Sequence, residues 1–242
     1  MKNSKLKHIL FRLAEVIPFT KQFKAKRWVD SHYMNFAWKN MEYIFLSIAR
    51  FAHINRPIDG YYMEFGSHEG RTMSLAWKHF QHLFNWEYLA FDSFEGLPEI
   101  QDIDKQEIWK KGKLKTGVKS FLKIVKKSGM PLSRIKTIKG FYDQSLTNEL
   151  AKSLLPKKAA VIYIDCDLYE STVPVLKFII PFLQKGTIIV FDDWNCFHGD
   201  PDHGERRAWR EFLNNNSYLK FEPFVSTNEA NSFICIQNKI NT

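Results

Sequence analysis

Cysteine is scarce in this chain, and none of it is spaced for chemistry. Cys166, Cys196 and Cys235 are the only three, and no two stand at a redox or zinc-binding spacing. An odd number of separated thiols excludes a disulfide scaffold and fits a reducing, cytoplasmic setting. Long apolar runs are lacking too. The longest, around 173–183, is broken by proline and lysine and falls short of the ~18 residues that a membrane span needs. The first twenty residues are basic, and Arg12 interrupts their short apolar stretch Ile9-Leu10-Phe11. No small-residue cleavage site follows, so no secretory leader is expected. That segment reads as a helix packed on the domain or on a partner subunit, in preference to a basic amphipathic helix lying on a membrane surface.

Acidic residues are the minority, 26 against 35 Lys plus Arg, for a net charge of +9. Such a balance often marks an anionic partner. Here the lysines spread over several segments, including 105–127 and 136–158, and form no run interleaved with aromatics. No zinc-finger spacing and no Asn/Asp-Pro-Pro-Tyr-type base pocket occurs, so a nucleic-acid partner is not expected. What the chain does have is apolar mass: 45% hydrophobic residues, with 21 Phe and 7 Trp, enough for a sizeable core. Composition alone leaves open whether the aromatics fill that core or wall a pocket.

Periodicity organises the chain into alternating elements. Residues 39–52 place Met41, Ile44, Phe45, Ile48 and Ala52 on one helical face. Strands are predicted at 61–65, 87–91, 135–138, 159–164 and 187–191, and an antiparallel pair at 219–225 and 232–237. Helices are predicted at 71–84, 117–128 and 204–214. Another begins at a Ser171 or Thr172 cap, carries Pro174 in its first turn and stops at Gly186. Thr116 is the expected N-cap of the 117–128 helix. Residues 93–115 lack periodicity and read as a long functional loop. The pattern predicts an α/β fold: a Rossmann-like, mostly parallel seven-stranded sheet covered by helices on both faces, with extra N-terminal helices. Residues 1–55 form the helical segment and 56–242 the main domain.

Three groups of residues stand at the carboxyl ends of predicted strands, where open α/β sheets bind ligands. Glu64-Phe65-Gly66-Ser67-His68-Glu69-Gly70 is a strand-to-helix turn in which Gly66 and Gly70 permit a tight bend and close ligand approach. It lacks G-x-G-x-x-G, and an acid ahead of the glycines is typical of a methyl-donor site. Asp92 closes the next strand, about twenty residues on, where an acid can accept from ribose hydroxyls. Asp165 and the pair Asp192-Asp193 close two neighbouring strands. Carboxylates gathered there need charge compensation, and with no competing His or Cys cluster they suit a hard cation such as Mg²⁺, Ca²⁺ or Mn²⁺. Asp167 would share a face with Asp165 if the strand continued, but the chain is expected to turn there, so Asp167 reads as structural or supporting.

These strings resemble the macrocin O-methyltransferase family. The matching stretches are Glu64 to Thr72, Phe91-Asp92-Ser93-Phe94-Glu95-Gly96-Leu97-Pro98, Gly140-Phe141-Tyr142, Ile164-Asp165-Cys166-Asp167-Leu168-Tyr169-Glu170-Ser171-Thr172, and Gly186 to Asp193. The resemblance implies an S-adenosylmethionine-dependent, divalent-metal-dependent O-methyltransferase acting on a hydroxyl of a sugar or glycosylated small molecule. It implies donor-site residues Glu64, Gly66, Ser67, Gly70, Thr72, Asp92, Ser93, Gly140 and Phe141. It also implies metal ligands Asp165, Asp192 and Asp193, with Asp165 as general base. The segment after Asp92 would be a lid, and the N-terminal helices would help enclose substrate within a homodimer. Two other readings stand beside it: a metal-independent small-molecule methyltransferase whose acids serve as base and helix caps, and a catalytically silent binding protein that keeps the fold.

Overall fold

The computed structural model describes residues 21–238, so the reading of residues 1–20 lies outside the described residues. The chain falls into two compact units that divide between Tyr43 and Ile44. The first contains α1 (Lys21–Trp28), a π-helical stretch (Val29–Tyr33) and the start of α2 (Met34–Ile54). The division falls inside α2, upstream of the 55/56 boundary read from the sequence. Ile44, Phe45, Ile48, Ala49 and Ala52 of that helix are buried residues of the second unit.

The second unit carries β1 (Tyr61–Phe65), α3 (Arg71–Phe80), β2 (Glu87–Asp92), α4 (Val118–Lys127), β3 (Ile135–Lys139), α5 (Tyr142–Ser145) and α6 (Asn148–Leu154). It continues with β4 (Ala159–Ile164), α7 (Tyr169–Ile179), β5 (Ile188–Phe191), α8 (Gly204–Asn215), β6 (Leu219–Ser226) and β7 (Asn231–Asn238). The strands form one seven-stranded sheet in the order β3-β2-β1-β4-β5-β7-β6. β1 to β5 pair in parallel, and β7 runs antiparallel to both β5 and β6. β1 and β4 lie at the centre and are buried at every residue, which is why Ala-Ala-Val-Ile-Tyr-Ile is apolar without alternation. The strand order reverses between these two, and a crevice opens at their carboxyl ends.

The aromatic excess goes into the core. Phe65 stacks on Phe91 at 4.4 Å, and Phe178 meets both rings edge-on. A second group joins Phe191, Trp194, Trp209 and Phe233 on the antiparallel side of the sheet. Each such side chain contributes roughly 1.5–3 kcal/mol on burial.

Two local features differ from the periodicity reading. The connection from β3 to β4 contains the short helices α5 and α6, where a bare link was expected. Thr147 caps α6, its hydroxyl accepting the Leu150 N–H at 3.1 Å, and Leu154 is buried one turn on. α7 begins at Tyr169, not at Ser171 or Thr172, and the Thr172 hydroxyl donates back to the Leu168 carbonyl at 2.8 Å. The carboxylate of Asp104, distant in sequence, receives the N–H groups of Tyr169 (2.7 Å) and Glu170 (3.0 Å) and caps the helix instead. No helix among the described residues is long and apolar enough to cross a membrane.

Candidate active site

Backbone bonding runs past the strand ends and fixes the residues that follow. Gly66 N–H donates to the Phe91 carbonyl (2.9 Å), Gly140 N–H to Asp92 (3.0 Å), Asp165 N–H to Phe65 (2.8 Å) and Asp192 N–H to Ile164 (2.9 Å). Gly66 has φ +92°, and a Cβ there would sit 1.7 Å from the Asp165 carbonyl oxygen, so only glycine lets the β1 and β4 tips approach this closely.

On the β1–β2 side the carboxylates are well furnished with donors. Glu64 is fully buried. Its Oε2 accepts from the Tyr62 hydroxyl at 2.7 Å and its Oε1 from the Thr72 hydroxyl at 3.2 Å. Burial pushes its carboxyl up to about 8 against these bonds. Asp92 accepts from His68 N–H (2.8 Å) on Oδ2 and from Phe94 N–H (2.6 Å) on Oδ1, tying the glycine loop to the segment after β2. Burial raises Asp92 and those backbone bonds oppose the rise. The Ser93 hydroxyl also donates to Oδ1 at 3.5 Å, and Oδ2 keeps a second lone pair for a ribose hydroxyl.

On the β4–β5 side the acids face one another. Asp165, Asp167 and Asp193 each offer an oxygen, all within 4.8 Å of one another. Asp167 joins this group because the chain does turn after Asp165. Asp167 adopts a left-handed conformation (φ 60°), which Asp tolerates, and its N–H donates to Asp193 Oδ2 at 3.1 Å. Asp192, expected as a ligand, stands differently: its Oδ1 accepts from the Tyr163 hydroxyl at 2.5 Å, and it is not one of the three converging acids. The Cys196 thiol donates to Asp193 Oδ1 at 3.3 Å.

Glu205, at the start of α8, is 1% exposed and completes the corner. Burial, then repulsion from Asp192 and Asp193, holds Asp165 far above the usual carboxylate range. Burial with repulsion from Asp193 does the same to Asp167 and Glu205, and pushes Asp192 up to about 7. Among the described residues no Lys or Arg pairs with any of these acids. A set of hard, mutually repelling oxygen donors with no Lys or Arg partner is chemically suited to a divalent ion such as Mg²⁺ or Mn²⁺.

Both sides open on one cavity of about 590 Å³. Of the donor-site candidates, Gly66, Asp92, Ser93, Gly140 and Phe141 line it, together with Asp165 and Asp167. Glu64, Ser67, Gly70 and Thr72 lie behind that lining. Among the described residues, Phe141 and Tyr142 are the Phe, Tyr or Trp residues in the wall. The 93–115 segment contributes Gly96, Leu97, Pro98, Glu99, Gln101, Lys111 and Leu114. It is pinned by Leu97 N–H to Lys113 O (2.8 Å) and Gly112 N–H to Leu97 O (2.9 Å). Thr116 does not cap α4: Gly117 holds that position, and the Thr116 hydroxyl instead meets His68 Nδ1 at 3.2 Å. Sequence reasoning missed Glu205 and Asp104, since an acid in a helix's first turn or in a polar loop carries no signal of a distant partner.

A mostly parallel seven-stranded sheet with a crevice at its switch point and acids across from a glycine turn defines the class I methyltransferase fold. The chain belongs to the macrocin O-methyltransferase (TylF) family, whose model matches residues 47–220. It is thus an S-adenosylmethionine-dependent O-methyltransferase. Solved structures agree in fold. The calicheamicin methyltransferase CalS11 is similar with a TM-score of 0.64 at 20% identity, covering 96% of this chain and 92% of the other. The O-methyltransferase NovP gives 0.63 at 16% identity over 81% of this chain and 79% of the other. The S-adenosylhomocysteine-bound methyltransferase PaMTH1 of Podospora anserina gives 0.51 at 14% identity over 91% and 98%. Comparison with curated protein sequences finds no match.

Proposed function

We propose that this enzyme methylates a hydroxyl of a sugar or glycosylated small molecule and needs a hard divalent cation to do so. The observation that carries the reading is a single cavity lined by the Gly66 turn and Asp92 on one side and, on the other, by Asp165 and Asp167, two of the three converging acids. CalS11 is a TDP-rhamnose 3'-O-methyltransferase of calicheamicin biosynthesis, which supports a sugar acceptor. Asp165, Asp167 and Asp193 are the residues that would hold the cation, with Asp192 beside them.

S-Adenosylmethionine supplies an electrophilic methyl carbon on a sulfonium, and the cation, when bound, lowers the pKa of a nearby hydroxyl. Asp92 and the Gly66 turn hold the donor's nucleoside. Asp165 accepts the acceptor's proton as its oxygen bonds to the methyl carbon and the carbon–sulfur pair returns to sulfur. The 96–114 segment covers the cavity and excludes water, and holding the two reactants in line supplies much of the rate. The exposed Phe23, Trp28, Val29 and Phe36 of the first unit support a homodimer, and three free cysteines support a cytoplasmic location.

The test is turnover with S-adenosylmethionine and a panel of free, nucleotide-linked and glycoside sugars, read by mass spectrometry with and without chelator. The expected result is a methylated hydroxyl, lost on chelation and restored by Mg²⁺. Undiminished turnover in chelator selects the metal-independent reading. Failure to bind S-adenosylhomocysteine in calorimetry selects the silent binding protein.

A further inference from the structure

Glu205 has no assigned role, yet its carboxylate sits between the two acid-bearing loops. Its Oε1 accepts the N–H of Cys166, the residue after Asp165, at 3.4 Å. Its Oε2 accepts the N–H of Asp193 at 3.1 Å. One side chain from α8 therefore spans the tips of β4 and β5, adding two backbone anchors to the strand ladder and to the Asp167–Asp193 and Tyr163–Asp192 bonds that already join them. The backbone between the two bonds carries Asp165 and Asp167 on one side and Asp193 on the other.

Placing a charge there is unfavourable by itself. Glu205 is 1% exposed, has no Lys or Arg partner among the described residues, and lies beside other carboxylates. A glutamine of the same shape would avoid that repulsion but offers a single acceptor oxygen. What the carboxylate does, and no other side chain of that length can, is accept from two N–H groups through two equivalent oxygens. Gly204 ahead of it has φ +52°, and a Cβ there would lie 2.8 Å from the Phe197 ring, so the start of α8 is held close against this corner.

We infer that Glu205 is a positioning residue: it clamps the β4 and β5 tips so that Asp165, Asp167 and Asp193 keep the spacing a divalent cation requires. The cation part of this inference rests on the function proposed above; the clamp itself does not.

The experiment compares the full-length enzyme with Glu205→Gln and Glu205→Ala. Amide hydrogen exchange is read at Cys166 and Asp193, alongside Tm, Mn²⁺ binding by electron paramagnetic resonance, S-adenosylhomocysteine affinity and turnover. In Glu205→Gln, exchange at those two amides should rise about tenfold or more while Tm is held or raised. Mn²⁺ affinity and kcat should fall about tenfold, with S-adenosylhomocysteine affinity within about twofold, since a tenfold change in an equilibrium is about 1.4 kcal/mol. Glu205→Ala should lose more of both. Unchanged exchange at Cys166 and Asp193, or a Glu205→Gln protein that unfolds or loosens throughout, overturns the clamp. If the parent enzyme binds no Mn²⁺, the cation reading falls, and the exchange and stability measurements still decide the clamp.

Discussion

The two walls of the cavity hold their acids by opposite means. On the β1–β2 wall, Glu64 and Asp92 each have both oxygens met by donors from nearby chain. On the β4–β5 wall, Asp165, Asp167 and Asp193 converge on one another, and the donors that reach them are a thiol and a backbone N–H. The first wall is finished as the protein folds. The second is electrostatically unfinished, and it is there that a positive ligand would lower the energy most. The sharpest way to break this contrast is at Asp165. Asp165→Asn should lower turnover by about a thousandfold or more, as expected on losing both a proton acceptor and a cation ligand. S-Adenosylhomocysteine affinity should stay within several-fold, because the donor wall is untouched. Calorimetry beside a turnover assay checks both, and comparable losses in each would show that the walls are not separable.

The donor wall makes its own prediction through Glu64. Its carboxyl is raised to about 8 in the folded chain from 4.5. The native state thus keeps a proton that the unfolded chain releases, so stability should fall as pH rises from about 4.5 to about 8 and level off above. The linked change is on the order of 3–5 kcal/mol. Glu64→Gln should flatten that slope and be the more stable protein at pH 8. Urea unfolding of both at pH 5, 7 and 9 measures it, and parallel curves would refute the assignment.

The acid wall should respond to cation instead. Adding Mg²⁺ or Mn²⁺ at a hundred times its Kd should stabilise the fold by about 2.7 kcal/mol, seen as a rise in Tm. Asp193→Asn should largely lose that rise, whereas Glu64→Gln should keep it. Thermal scans with and without chelator separate the two, and an equal shift in both variants would place the cation elsewhere.

How far these walls were legible depended on how local their causes are. The parallel core strands, the Gly66 turn and the acids at the tips of β2, β4 and β5 follow from apolar runs that end in Gly or Asp. The convergence of Asp165 with Asp193 was readable because one crossover joins their strands. Asp167 was set aside because a turn after Asp165 was expected to carry it away; that the turn is left-handed and swings it back to the group has no signature in Cys166-Asp167-Leu168. Asp192 was read as a ligand from its place at a strand end and from the resemblance, and the Tyr163 hydroxyl that meets it is visible only in the fold. α5 and α6 were missed although Thr147 and the Leu150–Leu154 spacing announce a capped turn; their shortness hid the period. Glu205 and Asp104 act across long separations, and no window of residues contains both ends of such a bond.

Asp104 gives the smallest expected effect and the one that links the lid to the acid wall. It is fully buried, and it caps α7 from the covering segment, receiving the Tyr169 and Glu170 N–H groups directly after the Asp165–Asp167 turn. Burial raises its carboxyl and those two bonds lower it. A capping acid at a helix N-terminus contributes about 0.5–2 kcal/mol, part of it from the helix dipole. Asp104→Ala should therefore lower unfolding stability by about that amount in urea. It should also free the cover, so that protease cuts within 99–115 faster than in the parent while α7 stays folded. Asp104→Asn keeps one acceptor oxygen and should fall between the two. If cutting within 99–115 is unchanged in Asp104→Ala while stability drops, Asp104 serves the helix alone, and the covering segment is held by its own Leu97–Lys113 bonding rather than by the wall it closes.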